Sequence, residues 1–383
     1  MSPRREQPRS RLAVALASLG AAVATLVIAD AAQAGSSTTV SGSVYVDYWW
    51  MQDPDVQKRS PGGVTIDAAV KIGVDISDDV AFSTKACMSC HGIELEHFQM
   101  EYMPKTWFNV QAGRLAIPFG EYANRVDQSG HKTVSAPLIY DMGRMAFGEK
   151  GAMNLGVLPL PYTDTGVMVY GQKFVGPIQA WYSVYGVAGL RGGNDADWTA
   201  MRALYYTDPN RTPSVGGRLA LTLAAEPGWF VGDTSLGASY TRGRYDRDAT
   251  LGYEVWGIDA STQLGKLALR GEYAHRRTDL SPKATYPYEL LDPWFKKDGF
   301  YVEAEAPLGN SFGVVYRYDT LNRQGVPLPG ATELTADSSI VRHTAGIQYM
   351  PAPSTFMKLG WEYWMASDFT DFHSVHLGVG GAF

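Results

Sequence analysis

A two-residue alternation is the feature that most limits what this chain can fold into. Along residues 64–75, which read VTIDAAVKIGVD, the even positions are apolar and the odd positions are mostly polar. Successive side chains of a strand point to opposite faces, so this period gives each strand one apolar and one polar face. Residues 40–50 show the same alternation less strictly. The pattern predicts strands with one face in lipid and the other in water.

The first 34 residues predict export. A basic N-terminus precedes the apolar residues 12–28, and Ala32-Gln33-Ala34 then supplies a small-x-small cleavage site. This order is typical of a secretory signal peptide, so we expect residues 1–34 to be removed. A membrane anchor is the alternative, and Asp30 together with the cleavage triplet disfavours it.

The remaining chain predicts a closed barrel. After residue 35, no run approaches the roughly 20 apolar residues that a membrane helix needs. An exported chain can still cross a membrane as a closed sheet, because closure pairs every backbone N–H and C=O. The last strand ends on Phe383, which resembles the terminal signal of outer-membrane barrels. We therefore predict an all-β transmembrane antiparallel barrel over residues 35–383, located in the bacterial outer membrane.

The length of the chain predicts the number of strands, and a gap in the strand pattern predicts one long connection. At roughly 20 residues per strand and connection, 16 to 18 strands fit, and we predict 16. The strand pattern is absent from residues 118–164, where Gly, Pro, Met and charged residues accumulate. A connection this long is usually functional or disordered, so we expect it to fold into the lumen and narrow a pore. An external loop is the alternative. The candidate pore-loop residues are Arg114, Glu121, Arg125, Asp127, Lys132 and Arg144.

The composition of the chain limits the classes of binding partner that we expect. The net charge of −6, without a run of Lys or Arg, argues against a nucleic-acid partner. The 22 Tyr and 10 Trp residues are the rings that lie at bilayer interfaces, so outer-membrane lipid is an expected partner. No nucleophile elbow, P-loop or metalloprotease helix occurs, and we do not expect an enzyme.

Residues 108–120, which read FNVQAGRLAIPFG, resemble the strand-to-loop junction of the phosphate-selective porin family. The resemblance implies a 16-stranded porin that forms a homotrimer and admits small solutes. It does not imply phosphate as the solute, because no dense ladder of Arg or Lys is present. The basic residues near the loop are balanced by Glu121, Asp127, Asp141 and Glu149.

The two cysteines of the chain form a Cys-x-x-Cys-His motif. Cys87 and Cys90 are followed directly by His91, which matches the attachment pattern of a c-type haem. The two thiols can add to the two vinyl groups of one haem, and His91 then ligates the iron. A Cys87–Cys90 disulfide is an alternative in an oxidising compartment, and a zinc site with His91 and His97 is another. A redox dithiol is a third, although thioredoxin-like dithiols lie at a helix start in an α/β fold.

A second axial ligand for this one covalent haem must come from elsewhere. His97 follows His91 by six residues, which span about 20 Å in an extended strand, so a contact would require a bend. The long loop offers the other candidates, and a thioether would raise the redox potential relative to imidazole. The candidates are His131, Met142, Met145, Met153 and His97.

Two functional hypotheses follow. In the first, a porin-like barrel carries one haem c and takes part in electron transfer at the outer membrane with periplasmic or extracellular cytochromes. A single haem cannot bridge a hydrocarbon core of about 30 Å, so such partners would be needed. In the second, the barrel is a plain diffusion porin and the two cysteines form a structural disulfide.

Overall fold

The fold is described from a computed structural model. Five of the residues named above, Cys90, His91, Asp141, Met142 and Glu149, lie outside the described residues, as does the predicted signal peptide. The described residues are 37–52, 56–57, 63–89, 92–140, 144–147, 152–154, 156–191, 210–226, 228–280, 288–289, 294–323, 326–327, 339–367 and 370–383.

Sixteen strands of the described chain form one closed antiparallel barrel, as predicted. Each strand pairs with its neighbours along the chain, and β1 pairs with β16 to close the sheet. The strands are β1 Ser37–Met51, β2 Val64–Ser77, β3 Val80–Ser89, β4 Gly92–Lys105, β5 Phe108–Ala116, β6 Thr163–Val175, β7 Ile178–Val187, β8 Ser214–Leu223, β9 Val231–Arg244, β10 Gly252–Leu264, β11 Leu267–Asp279, β12 Trp294–Leu308, β13 Phe312–Arg323, β14 Ser339–Ala352, β15 Thr355–Ala366 and β16 Phe372–Ala382.

The closing seam shows how the C-terminus completes the barrel. In the β1–β16 register, Val44 pairs with Gly381 and Tyr48 pairs with Leu377. The pairing continues past the last strand, because the backbones of Gly42 and Phe383 exchange two hydrogen bonds of 2.9 Å. The sheet therefore has no free edge at this seam.

The alternation read from the sequence separates the two faces of the wall. On β2 the side chains of Val64, Ile66 and Val70 are exposed on the outer surface. On the same strand the Thr65 hydroxyl donates a hydrogen bond to Asp47 of β1, on the inner surface. The apolar core lies inside the barrel, between the wall and the long connection that follows β5.

The two ends of the barrel differ. At the turn end, short connections join the strands, including the predicted turns near residues 78, 105, 309 and 353. At the loop end, the connections are residues 52–63, 90–91, 117–162, 188–213, 245–251, 280–293, 324–338 and 367–371. None of the helical turns in the described residues is long and apolar enough to cross a membrane.

Two short sheets join loops at the loop end. Val56–Gln57 pairs with Arg144–Phe147, which also pairs with Ala152–Asn154. Tyr288–Glu289 pairs with Val326–Pro327. These pairings connect residues 52–63 to residues 117–162, and residues 280–293 to residues 324–338.

The β3–β4 hairpin is tight. The Cys-x-x-Cys-His motif begins at Cys87, and β3 continues past this residue to Ser89. Cys87 continues the strand because it pairs with Ala69 of β2 on one side and with Glu94 of β4 on the other. The motif therefore starts within the barrel wall.

Candidate functional site

The connection from β5 to β6, residues 117–162 and here called L3, folds inside the barrel. The sequence predicted an inward loop over residues 118–164, and the last of these positions belong to β6. The described parts of L3 contact inward-facing side chains of β9 to β15. We treat the space between L3 and the wall as the candidate site.

The start of L3 is attached to β9 and β11. The backbone N–H of Gly120 donates to Ser239 Oγ at 3.1 Å, and that of Tyr122 donates to Glu272 Oε2 at 3.4 Å. The hydroxyl of Tyr140 donates to the same Glu272. Gly120 has φ +73°, and a Cβ there would collide with Glu272, so the approach requires glycine.

The middle of L3 is attached to β13 and β14 by two arginines that share one carboxylate. Arg317 donates to Ser135 Oγ at 2.8 Å and to the Ser135 carbonyl at 3.1 Å. Arg342 donates to the Ala136 carbonyl at 2.6 Å. Both guanidinium groups pair with Asp319 Oδ2, at 2.9 and 3.1 Å. All three charged side chains are fully buried, so the loop is fixed by charges that hydrogen bonds and opposite charges compensate.

The charged residues of L3 itself face β12. Arg125 pairs with Glu121 of its own loop at 3.0 Å and with Glu303 at 3.1 Å. Although burial opposes it, the carboxylates of Glu303 and Glu121 raise the pKa of Arg125 above its usual range. Lys132 pairs with Glu305 at 2.9 Å. The balance of charges read from the sequence is therefore present as direct ion pairs.

The tip of L3 reaches the opposite wall. Asp127 Oδ1 lies 2.5 Å from Lys85 Nζ on β3, and Lys85 also pairs with Glu96 of β4 at 2.8 Å. Arg125, two residues earlier, contacts Glu303 on β12. L3 therefore crosses the lumen between β12 and β3 within three residues.

Two predicted pore-loop residues have other positions. Arg114 lies in β5, before the loop, where it is buried and donates to the Leu95 carbonyl and to Thr163 Oγ1. The backbone of Arg144 lies in the short strand Arg144–Phe147, and its side chain is outside the described residues. Arg114 was grouped with the pore loop because it is a basic residue near it, although it precedes the predicted loop start at residue 118.

His131, one predicted haem ligand, is buried within L3. It is 3% exposed, its ring centroid lies 5.7 Å from that of Tyr122, and its Nδ1 lies 3.4 Å from Thr133 Oγ1. Burial lowers the pKa of His131 well below its usual value, and the charges of Lys358, Arg125 and Arg317 lower it further. The imidazole therefore packs among cations of L3, β13 and β15.

The cysteine motif faces the lumen where it is described. Cys87 shares the inward side of β3 with Lys85, and its thiol is free. Its Sγ lies 3.8 Å from the Glu94 carbonyl oxygen. The other two members of the motif lie outside the described residues, and the side chains of Met145 and Met153 do as well.

His97 is closer to Cys87 than its position in the chain indicated. The antiparallel register pairs Lys85 with His97 and Cys87 with Glu94, so the imidazole is about two residue pairs from the thiol. His97 is 7% exposed, and its Nε2 has no hydrogen-bond partner.

The wall residues that hold L3 were not identified from the sequence. They carry a recognisable signal, since charged residues alternate along strands whose other face is apolar. The pairs at this spacing are Arg270 and Glu272, Glu303 and Glu305, and Arg317 and Asp319. On a two-faced strand this spacing places both charges on the inner face.

Comparison with known proteins shows the fold. No family model and no curated protein matches the chain. Solved structures do match: an anion-selective porin of Comamonas acidovorans has 14% identity and a TM-score of 0.56, covering 91% of this chain and 100% of its own. The channel DcaP of Acinetobacter baumannii has 12% identity and a TM-score of 0.55, covering 91% and 97%.

A third similar structure is the trimer form of OmpT, an outer-membrane protein of Vibrio cholerae. It has 8% identity and a TM-score of 0.53, and the match covers 91% of this chain and 99% of that one. These identities establish the architecture only. The chain therefore has the 16-stranded barrel fold of outer-membrane porins.

Proposed function

We propose that this protein is an outer-membrane channel through which small hydrophilic solutes diffuse, and that L3 narrows its lumen. The observation that carries the proposal is the crossing of the lumen by L3, held by Glu303 on one wall and Lys85 on the other. A charged, hydrogen-bonded interior suits water and polar solutes. The exposed apolar outer surface suits lipid.

The asymmetry of the barrel supports an orientation. Outer-membrane barrels have short turns on the periplasmic side and longer loops outside. We therefore assign the turn end to the periplasm and the loop end to the exterior. Export through a cleaved signal peptide remains part of this proposal.

A homotrimer is also part of the proposal. The outer surface near the loop ends of β1–β4 is apolar, and it includes Trp50, Val64, Met88 and Ile93. A continuous apolar patch of this kind favours contact with protein as well as lipid. The trimer form of OmpT shows that a barrel of this fold can assemble in this way.

Reconstitution into a planar bilayer tests the channel. We expect stable conductance steps that are smaller than those of an unobstructed 16-stranded barrel, because L3 occupies part of the lumen. Polyethylene glycols of increasing size should define a sharp exclusion limit. Purified, folded protein that inserts but conducts no ions would contradict the proposal.

A second candidate function is supported by the position of Cys87 on the lumen side of β3, next to the strand that carries His97. We propose that Cys87 and Cys90 would attach one haem c, that His91 would ligate its iron, and that His97 would supply the second ligand. The buried Nε2 of His97 without a partner fits this role. A bound haem would supply one-electron transfer, and periplasmic or extracellular cytochromes would then be its partners.

A peroxidase-stained denaturing gel of the outer-membrane fraction tests the haem, because a covalent haem survives denaturation. We expect a stained band that is lost in Cys87→Ser, while the matched variant Ser83→Ala on the same strand keeps it. An unstained wild-type band, with mass spectrometry showing a Cys87–Cys90 disulfide, would exclude the haem and leave the channel.

A further inference from the structure

The outer surface of the barrel carries a charged groove at the loop ends of β9–β11. Its volume is about 640 Å³. Three arginines line it, together with two carboxylates and an aromatic ring. These residues are Arg242, Arg244, Arg277, Glu254, Asp279 and Tyr240.

The strand register places the charged side chains in one row around the barrel. Arg242 pairs with Glu254, Glu254 pairs with Arg277, and Arg277 pairs with Lys296. The first three are exposed, whereas the residues that flank each of them along its strand are more buried. The row therefore faces away from the lumen.

Aromatic residues form the next row toward the turn end. Tyr240 of β9 pairs with Trp256 of β10, and both side chains are exposed on the outer surface. The next outward position on β10 is Ile258, which is apolar and exposed. Tyr and Trp lie at the headgroup level of a bilayer, and aliphatic residues lie in its hydrocarbon. The row of charges is thus at the level of the lipid phosphates.

Two of the guanidinium groups are held in place. Arg277 lies over the ring of Trp294, 4.3 Å from its centroid, and Arg244 donates to the Thr250 carbonyl at 3.0 Å. In the described part of the chain, Arg242 and Arg277 make no ion pair with a carboxylate. Asp279 accepts a hydrogen bond from the backbone of Gly252 at 2.9 Å. The guanidinium groups of Arg242 and Arg277 therefore remain available to bind an anion.

The charged row is a local feature of this sector. At the loop ends of β1–β4, the outward-facing residues Trp50, Val64 and Met88 are apolar. The groove therefore differs in charge from the loop ends of β1–β4.

We propose that this groove binds the phosphate group of a phosphorylated glycolipid in the outer leaflet. Arginine forms bidentate hydrogen bonds with phosphate, and basic pockets at the membrane surface bind lipid headgroups. Arg242 and Arg277 would contact the phosphate, and Trp256 would pack against the first part of the acyl chains. The inference rests on the outward orientation of the loop end in the proposed function.

Native mass spectrometry of the detergent-solubilised protein, titrated with bisphosphorylated lipid A, tests this site. We expect Arg242→Gln combined with Arg277→Gln to weaken binding at least tenfold. Lys266→Gln, in the turn at the opposite end of the same strands, should bind as the wild type does. Glu254→Gln should strengthen binding, because it removes a carboxylate between the two arginines, whereas a purely structural role would not produce this gain.

Three outcomes would overturn the proposal. The first is undiminished binding by the double variant, and the second is an equal loss in Lys266→Gln. The third is complete competition by millimolar inorganic phosphate, which would identify a site for the free anion. Conductance of the same samples separates this test from the test of the proposed function. A double variant that conducts and binds lipid A as the wild type does would contradict the lipid site and leave the proposed channel intact.

Discussion

The wall formed by β9–β15 and the wall formed by β2–β4 use inward-facing charges in different ways. On the first wall, Arg317, Asp319 and Arg342 are fully buried under L3 and bonded to its backbone and side chains. On the second wall, Lys85 meets L3 through Asp127, which is 51% exposed. The same alternation of polar residues therefore holds L3 through fully buried ion pairs on one side and through a half-exposed aspartate on the other.

The difference has an energetic consequence. Removing one member of a buried, hydrogen-bonded ion pair typically costs about 3–5 kcal/mol, because the remaining charge is left uncompensated. An exposed ion pair typically contributes about 0–1 kcal/mol. We therefore expect variants of the first wall to release L3 and variants of the second wall to change only its tip.

The largest expected effect is that of Arg317→Met. It removes the donors to Ser135 and leaves Asp319 and Glu303 with less compensation. We expect a loss of about 3–5 kcal/mol in the free energy of attaching L3, together with higher conductance. Thermal unfolding and single-channel recording measure both, with Lys71→Met on the opposite wall as the matched control. A conductance unchanged from the wild type would show that Arg317 does not hold the loop.

A smaller effect is expected at the tip of L3. Asp127→Asn should weaken the crossing by less than about 1 kcal/mol, because the carboxylate is half-exposed. Lys85→Met should cost more, because the ammonium is buried and its loss also leaves Glu96 without its partner. In single-channel recordings we expect more frequent current fluctuations with a similar mean conductance. A double-mutant cycle on the fluctuation rate tests the pair directly, and strictly additive effects would argue against the contact.

The smallest expected effect is a dependence on pH. His131 is buried and its pKa is lowered, while Lys358, Arg125 and Arg317 face it with positive charge. Release of L3 would return the pKa of His131 toward about 6.5. The contribution of the neutral imidazole to the attachment of L3 is therefore complete above that pH and declines as the pH falls below it. Current fluctuations should increase between pH 7.5 and 5. His131→Gln should flatten this dependence, and an equal slope in the variant would assign it to another group.

The sequence and the structure agree where the signal is local. The alternation at residues 64–75 needed no distant partner, so the barrel could be predicted from neighbouring residues, and the number of strands followed from the length of the chain. That L3 folds into the lumen was predicted from the length of this connection alone. Its attachment to Asp319 and Glu272 could not be predicted, because those contacts depend on which strands lie opposite each other once the barrel has closed.

One residue shows how register limits sequence reasoning. His97 is ten residues after Cys87, yet the β3–β4 hairpin places it near that thiol. Chain distance misled here, because antiparallel pairing returns the chain along its own path.

The central claim is that L3 crosses a conducting lumen, and chemical modification of its tip tests this most directly. Asp127→Cys would be prepared with Cys87 and Cys90 replaced by serine, and recorded in a planar bilayer while a cationic methanethiosulfonate reagent is added. The account predicts stepwise loss of conductance as each channel is modified, and no change for Val184→Cys on the outer face of β7. Rapid, complete labelling of Asp127→Cys without any change in current would contradict the account.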